Sequence, residues 1–333
     1  MRGFASAFRT ALAAAAFAVG LAGAAHAQEI ELRIAWTSAD SPTDPYAIAA
    51  HTFADILAEK TGGRVTLAFF PSRALGDEKE MVEGIRFGTI DMAVITNAVV
   101  ANTEPAFQLV DLPFLFADAE QAHEVLDGEV GDMLADKIES KGILVLGFTE
   151  GGFRNMINNV RPVTKPADVE GVKYRTMQNP VFIEMFSSLG GSPVPMAWGE
   201  TFTAVQQGAI DGLEIPSAVI NSNNFNEVTE FMSLTRHTYS ANVLLISKRV
   251  FDRLPEDVQT AILESAEEAI AIQREKVAEN EEKVITQLRE RGMKVNEVED
   301  VKPFREAVKP VYERFRDTIG PDLMDTVMQK VNE

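Results

Sequence analysis

The chain has no cysteine, so no disulfide can staple it and its stability must come from apolar cores of ordinary size. Histidine is scarce too: of four in all, His51, His123 and His237 stand far apart, with none of the paired spacings of a zinc site. No P-loop, G-x-G-x-x-G or G-x-S-x-G turn is present. Acid/base chemistry would therefore fall to carboxylates, and among fifty Asp and Glu some pair always meets, so that signal carries no information. Cations are the minority at 31 Lys and Arg, leaving a net charge of −19. Such acidity speaks against nucleic acid or an anionic membrane surface as partner. No stretch after residue 27 offers the roughly 20 uninterrupted apolar residues that a membrane span requires.

What is present begins with an export signal. Residues 1–27 supply Arg2 and Arg9, an apolar core "ALAAAAFAVGLAGA" and small residues ending at Ala27, the pattern of a signal peptide cleaved after that residue. The expected location is the periplasm. Loss of the two arginines takes the formal charge from −19 to −21, so a protein that binds an anion must recruit it with local cations against its own field. The roughly 300 residues that follow exceed what one core usually organises, and two domains are expected.

Strand-like and helix-like runs then alternate. "IELRIAW" (30–36), "RVTLAFF" (64–70), "IDMAVIT" (90–96) and "GILVLGF" (142–148) are short and rich in Ile, Val, Leu and Phe, as buried strands are. Helical stretches are expected at 45–61, 77–87 and 118–140, each closed by glycine. The pattern restarts with strands at 153–159, 172–177 and 192–197 and helices at 180–189 and 199–207, and "ANVLLIS" (241–247) gives a further strand. This is the order of βαβ units around a mostly parallel sheet. From Pro255 to about Arg291 the apolar spacing is helical without interruption, enough for a strut of roughly 50 Å. A strand at 293–298 and helices near 300–318 and 321–331 finish the chain.

One phrase is nearly said twice. "FGTIDMAVIT" (87–96) and "QGAIDGLEIP" (207–216) each close a helix at Gly and open a strand. The echo fits two similar α/β lobes, although helix-Gly-strand also punctuates any βαβ sheet.

Two arginines sit inside apolar strands, Arg154 in "GGFRNM" and Arg175 in "GVKYRTM". A buried guanidinium must be paired. Either each meets one of the many acids, or the two form an anion site at strand ends, where open α/β sheets bind ligands and where arginine grips carboxylates bidentately.

The segments "PSRALGDEKEM" (71–81), "FGTIDMAV" (87–94), "GFRN" (152–155), "GVKYRTMQN" (171–179), "GGSPVPMAWGETFTAVQQGAIDGLE" (190–214) and "LPEDVQ" (254–259) together resemble the solute-binding proteins of TRAP (tripartite ATP-independent periplasmic) transporters, the dicarboxylate-binding DctP type. The resemblance covers essentially the whole chain after residue 27. It implies a two-lobed periplasmic binding protein fold, each lobe a mostly parallel sheet flanked by helices, with a long helix across both. The lobes are expected at 28–150 plus 241–280 and at 151–240 plus 281–333. It also implies a small organic anion between the lobes, delivery to the small and large membrane subunits of a permease, no cofactor or metal, no enzymatic activity and a monomer. Arg175 matches the arginine that grips the ligand carboxylate, Arg154 a second that assists it, and Trp198 an aromatic beneath the ligand. Glu78, Asn97, Gln178 and Asn242 fall at positions that vary with the ligand, and Trp36 is a wall or lid candidate. Either tryptophan could instead be an ordinary core aromatic.

One departure concerns Ile215, where many relatives have Asn after "IDG-x-E". Glu214 beside an anion is repulsive unless it accepts from a ligand hydroxyl, orients an arginine or helps hold a cation. Hydroxy acids, sugar acids or a cation-bridged carboxylate would each explain it. A sensory module or a periplasmic enzyme acting on an organic acid remains open from the sequence alone.

Overall fold

The computed structural model describes residues 29–332; the expected signal peptide and its cleavage after Ala27 lie outside them. Among the described residues nine strands form one mixed sheet: β1 Ile30–Ala35, β2 Val65–Phe70, β3 Met92–Thr96, β4 Ile143–Asn158, β5 Lys173–Thr176, β6 Ser192–Pro195, β7 Gly212–Pro216, β8 Phe231–Ser247 and β9 Lys294–Glu297. Their order is β2-β1-β3-β8-β4-β7-β5-β6, with β9 beside β8. β1 runs parallel to β2 and β3, and β5 parallel to β6 and β7. These two parallel triads, one per lobe, are fused by β4 and β8, which pair with each other antiparallel along their length.

The long strands differ from the expected pattern. "GILVLGF" and "FRNMINN" are not two strands but the two ends of β4, and "ANVLLIS" is the second half of β8. Glycine usually interrupts a strand, yet here Gly147 and Gly152 take positive φ, 147° and 95°, and absorb register shifts at Val145/Gly147 and Glu150/Gly152. The strand bends at these bulges without ending. The stretch 118–140 also divides, into Ala119–Leu126 and Glu129–Glu139, because Gly128 is an extended N-cap that starts a second helix.

Side-chain alternation along the strands builds two apolar layers. Ala93, Ile95, Val243 and Leu245 face one layer, which also holds Phe107, Phe182 and Phe304. Their sequence neighbours Met92, Val94, Leu244 and Ile246 face the other, with Trp36, Phe53 and Ile262. The helix Glu256–Glu290 runs unbroken as expected. It packs on the helix Pro45–Lys60, on β4 and on the short helix Ser217–Ser222. Buried Gln273 ties it down, donating to Pro45 O at 3.2 Å and Glu150 O at 2.7 Å. No helix among the described residues is long and apolar enough to cross a membrane.

Candidate functional site

The repeated phrase places two facing walls. Gly88 and Gly208 end their helices in the left-handed region, at φ 74° and 70°, and each sends a strand inward, β3 to Thr96 and β7 to Ile215 and Pro216. Those ends meet across a small cavity of about 30 Å³. The rest of its wall comes from other strand ends and helix starts: Thr37 and Ser38 after β1, Arg175 and Met177 at the end of β5, Glu78 and Trp198 opening helices, and Tyr46, Arg154 and Val219. Carboxyl ends of parallel strands thus converge where the two triads meet, the usual ligand position in an open α/β sheet.

The two arginines, each 4% exposed, differ in what they touch. Every nitrogen of Arg154 is engaged. Nε and Nη2 donate to the Glu214 carboxylate as a bidentate pair, Nη2 also reaches Glu214 O at 2.6 Å, and Nη1 donates to Ser240 Oγ at 3.1 Å. Glu214 is fully buried, and His237 Nε2 lies 3.3 Å from its second oxygen. Burial works to raise the Glu214 carboxyl, but Arg154 and His237 outweigh it and hold it below its ordinary value. Burial lowers His237 despite Glu214, so the imidazole is neutral. With Thr235 Oγ1 2.8 Å from Nδ1, the network assigns the proton to Nε2, donated to Glu214.

Arg175 is different. Its Nε and Nη2 donate to Met196 O at 3.0 and 2.8 Å, and its guanidinium carbon lies 5.9 Å from the Trp198 ring centroid. Nη1 has no protein partner, and no carboxylate among the described residues is within ion-pair distance of this guanidinium. Burial lowers its pKa to about 10, which leaves it charged at neutral pH. Glu78 lines the same cavity; its Oε1 accepts from Thr96 N and Thr96 Oγ1, both at 2.8 Å, while Oε2 has no protein partner. Burial raises the Glu78 carboxyl, with the Thr96 bonds and Arg175 pulling the other way.

Of the ten residues singled out from the sequence, Arg175, Arg154, Trp198, Glu78 and Ile215 line this cavity. Glu214 sits behind it, orienting Arg154. Gln178 lines an outer groove that shares Glu78, Arg175, Met177 and Trp198 with the cavity. Three are placed elsewhere. Trp36 is fully buried in the core beside His51 and Phe69, because alternation along β1 turns it into the same layer as Leu32 and Ile34. Asn97 is turned away to donate to Phe107 O and Asp111 Oδ1, both at 2.9 Å. Asn242 lies fully buried opposite Thr96 and Thr149 in mid-sheet, outside the lining residues. Sequence reading missed Thr37, Ser38 and Tyr46. The first two were findable as the residues just after a strand, whereas Tyr46 gives no signal within its helix.

Two lobes around one buried, unpaired arginine define a protein built to enclose a small anion. Residues 37–318 match bacterial extracellular solute-binding protein family 7, DctP, and the chain belongs to that family. It is 40% identical to the 2,3-diketo-L-gulonate-binding periplasmic protein YiaO of Escherichia coli K12 over 290 residues, 86% of this chain and 88% of that one. A TRAP periplasmic solute-binding protein from Polaromonas, solved with D-erythronate, superposes with TM-score 0.86 at 40% identity, covering 90% of this chain and 98% of that one. The sugar acid binding protein DctPAm of Advenella mimigardefordensis, solved with galactonate, gives TM-score 0.88 at 32% identity over 92% and 98%. These relatives are binding proteins and not enzymes.

Proposed function

We propose that this chain is the extracytoplasmic subunit of a TRAP transporter, capturing a small organic carboxylate, a hydroxy acid, sugar acid or dicarboxylate, by hinge closure of its two lobes around it. It delivers that ligand to the small and large membrane subunits of the permease, acts as a monomer in the periplasm, and performs no chemistry on its cargo. The observation that carries this reading is the Arg175 guanidinium, buried with Nη1 free of protein partners and with no carboxylate within ion-pair distance among the described residues. A ligand carboxylate is the group that completes such a site. The sugar acids bound to the similar Polaromonas and Advenella proteins support the same ligand chemistry.

A thermal-shift screen against small organic acids tests it, because a ligand present at 100 times its dissociation constant stabilises the folded state by about 2.7 kcal/mol. The expected result is a clear upward shift with at least one carboxylate, abolished in Arg175→Ala. An Arg175→Ala protein that keeps its affinity within a factor of about three, roughly 0.7 kcal/mol, would sink the assignment.

A further inference from the structure

The two helices that close at Gly88 and Gly208 also begin opposite one another. The first, Glu78–Phe87, follows β2, and the second, Trp198–Gln206, follows β6. A helix start leaves backbone N–H groups without partners, and a side-chain oxygen at the N-cap position ordinarily takes them up. Asp77 supplies such an oxygen before the first helix, whereas Ala197 before the second has none.

Asp77 does not spend its carboxylate on its own helix. Its backbone is extended, φ −77° and ψ 170°, as an N-cap requires, and its carbonyl accepts from Met81 N at 3.0 Å, yet its side chain makes no bond to the helix it precedes. Oδ1 instead accepts from Gly199 N, 122 residues away, at 3.3 Å. Gly199 is the second residue of the other helix, a position that an N-cap oxygen serves, so Asp77 caps that helix from across the cleft. Asp44 shows the usual arrangement. At the start of the helix Pro45–Lys60 its Oδ1 accepts from Tyr46 N at 3.0 Å and Ala47 N at 3.4 Å, and only Oδ2 reaches across to Ser222.

The residues around Asp77 are arranged for this crossing. A Cβ on Gly199 would lie 1.8 Å from Arg73 Nη1 and 3.0 Å from Asp77 Oδ2, so the close approach depends on glycine there. Ser72 and Arg73 take left-handed φ of 52° and 64°, and their N–H groups donate to Ser38 O at 3.0 Å and Trp36 O at 3.2 Å, which ties the turn carrying Arg73 to the end of β1. Asp77 and Gly199 are also the chain neighbours of two lining residues, Glu78 and Trp198, one from each helix.

We propose that Asp77 is a single cap shared by the two helices, an inference that rests on the reading of this chain as a binding protein that closes around its ligand. With the lobes closed, Asp77 caps the helix Trp198–Gln206 and holds Glu78 and Trp198 at their closed spacing. When the lobes part, its carboxylate turns back to Lys79 N or Glu80 N and caps its own helix. Part of what closure gains at one helix is thus given up at the other, and the latch releases readily. Asp77 does not itself line the cavity; it is a positioning residue.

Amide–water exchange, measured residue by residue by NMR on the mature protein, tests this. The probes are succinate, D-erythronate and D-galactonate, acids bound in similar solved proteins, and the one that raises the unfolding temperature most is used at saturation. It is expected to slow exchange at Gly199 and to speed it at Lys79 or Glu80, each by about fivefold. Both changes are expected to vanish in Asp77→Ala and to persist in Asp77→Asn, which keeps an acceptor of the same reach. Slowing at Gly199 with no change at Lys79 and Glu80 would reduce Asp77 to a one-sided latch and overturn the sharing. No change at Gly199, or changes that persist in Asp77→Ala, would overturn the cap across the cleft. In each of these cases the carboxylate reading stands, since the acid has bound. If none of the three acids raises the unfolding temperature at about 10 mM, that reading falls and this inference with it.

Discussion

Burying a guanidinium costs free energy unless a counter-charge goes with it, and the two cleft arginines meet that requirement in opposite ways. Arg154 carries its own counter-ion, so removing Glu214 leaves a charge stranded in the core. Glu214→Gln is expected to destabilise the ligand-free protein by about 3–5 kcal/mol, read from denaturant unfolding. On the proposed reading Arg175 takes its carboxylate partner from the ligand, so Arg175→Leu is expected to leave ligand-free stability unchanged or slightly raised while abolishing binding. A large stability loss in Arg175→Leu would mean that the protein itself satisfies this arginine. A second buried acid makes a pH prediction. Asp111 accepts from Asn97 Nδ2 and Asn179 Nδ2, both at 2.9 Å, and burial raises its carboxyl to about 7. The folded state then holds a proton that the unfolded chain releases from about pH 4 upward, so this group's contribution to stability falls as pH rises through that window. Asp44, raised by burial to about 6, acts in the same sense. His237, lowered by burial, acts in the opposite one, since the unfolded imidazole gains a proton below about pH 6.5 that the folded one resists. The informative quantity is accordingly the difference between proteins. Asp111→Asn is expected to make the slope of stability against pH less negative between pH 5 and 7, by up to about 1.4 kcal/mol per pH unit, and an identical slope in thermal unfolding series would refute it.

At the scale of elements, the glycines that punctuate the chain divide into two kinds. Gly208 takes φ 70° with nothing within 4 Å of an added Cβ, so Gly208→Ala is charged only for the left-handed backbone, about 1–2 kcal/mol. The expected readout is a fall in Tm of roughly 2–4 °C for a protein of this size. Gly212 has no positive φ, yet a Cβ there would lie 2.1 Å from Ile157 O on the paired strand. Gly212→Ala should therefore disrupt the β4–β7 contact and cost far more than Gly208→Ala; a ranking the other way round in one unfolding series would contradict this account. The same contrast explains what was legible beforehand. Gly88 and Gly208 end helices for a local reason, and the sequence marks both. Gly147 and Gly152 look the same in sequence, but a partner strand, β8, carries β4 through them, and that partner lies about 90 residues away in the chain. The site divides similarly. Arg154 and Arg175 stood out because a charge inside an apolar strand has few explanations, a salt bridge or an anion site, whereas Glu78, at the start of a helix, was singled out by family resemblance alone. Trp36, Asn97 and Asn242 were misplaced because one residue of alternation, or a distant carboxylate such as Asp111, decides which way a strand-end side chain turns.

For the whole molecule, direct hydrogen bonds between the two walls bridge the cleft. Asp44 accepts from Ser222 Oγ at 2.6 Å, Asn223 Nδ2 donates to Ser38 Oγ at 2.8 Å, and on the other rim Gly199 N donates to Asp77 Oδ1 at 3.3 Å. Of these residues only Ser38 lines the cavity, so the others favour the closed arrangement without touching what it holds. A ligand's apparent affinity scales with the fraction of binding-competent protein, and a bond made only in the closed form adds to affinity whether closure precedes or follows capture. Ser222 donates to a carboxylate, a bond worth about 1.5–3 kcal/mol, and Asn223 adds about 0.5–1.5 kcal/mol. Removing both in Ser222→Ala/Asn223→Ala is expected to weaken every ligand by at least about tenfold while leaving the ranking among carboxylates unchanged. Small-angle scattering of the ligand-free double variant should show a larger radius of gyration than the wild type if closed molecules are populated there. If the double variant kept wild-type affinity, the rim bonds would contribute nothing to closure, and the free energy of closing would have to come from the ligand's own contacts with Arg175, Glu78 and their neighbours.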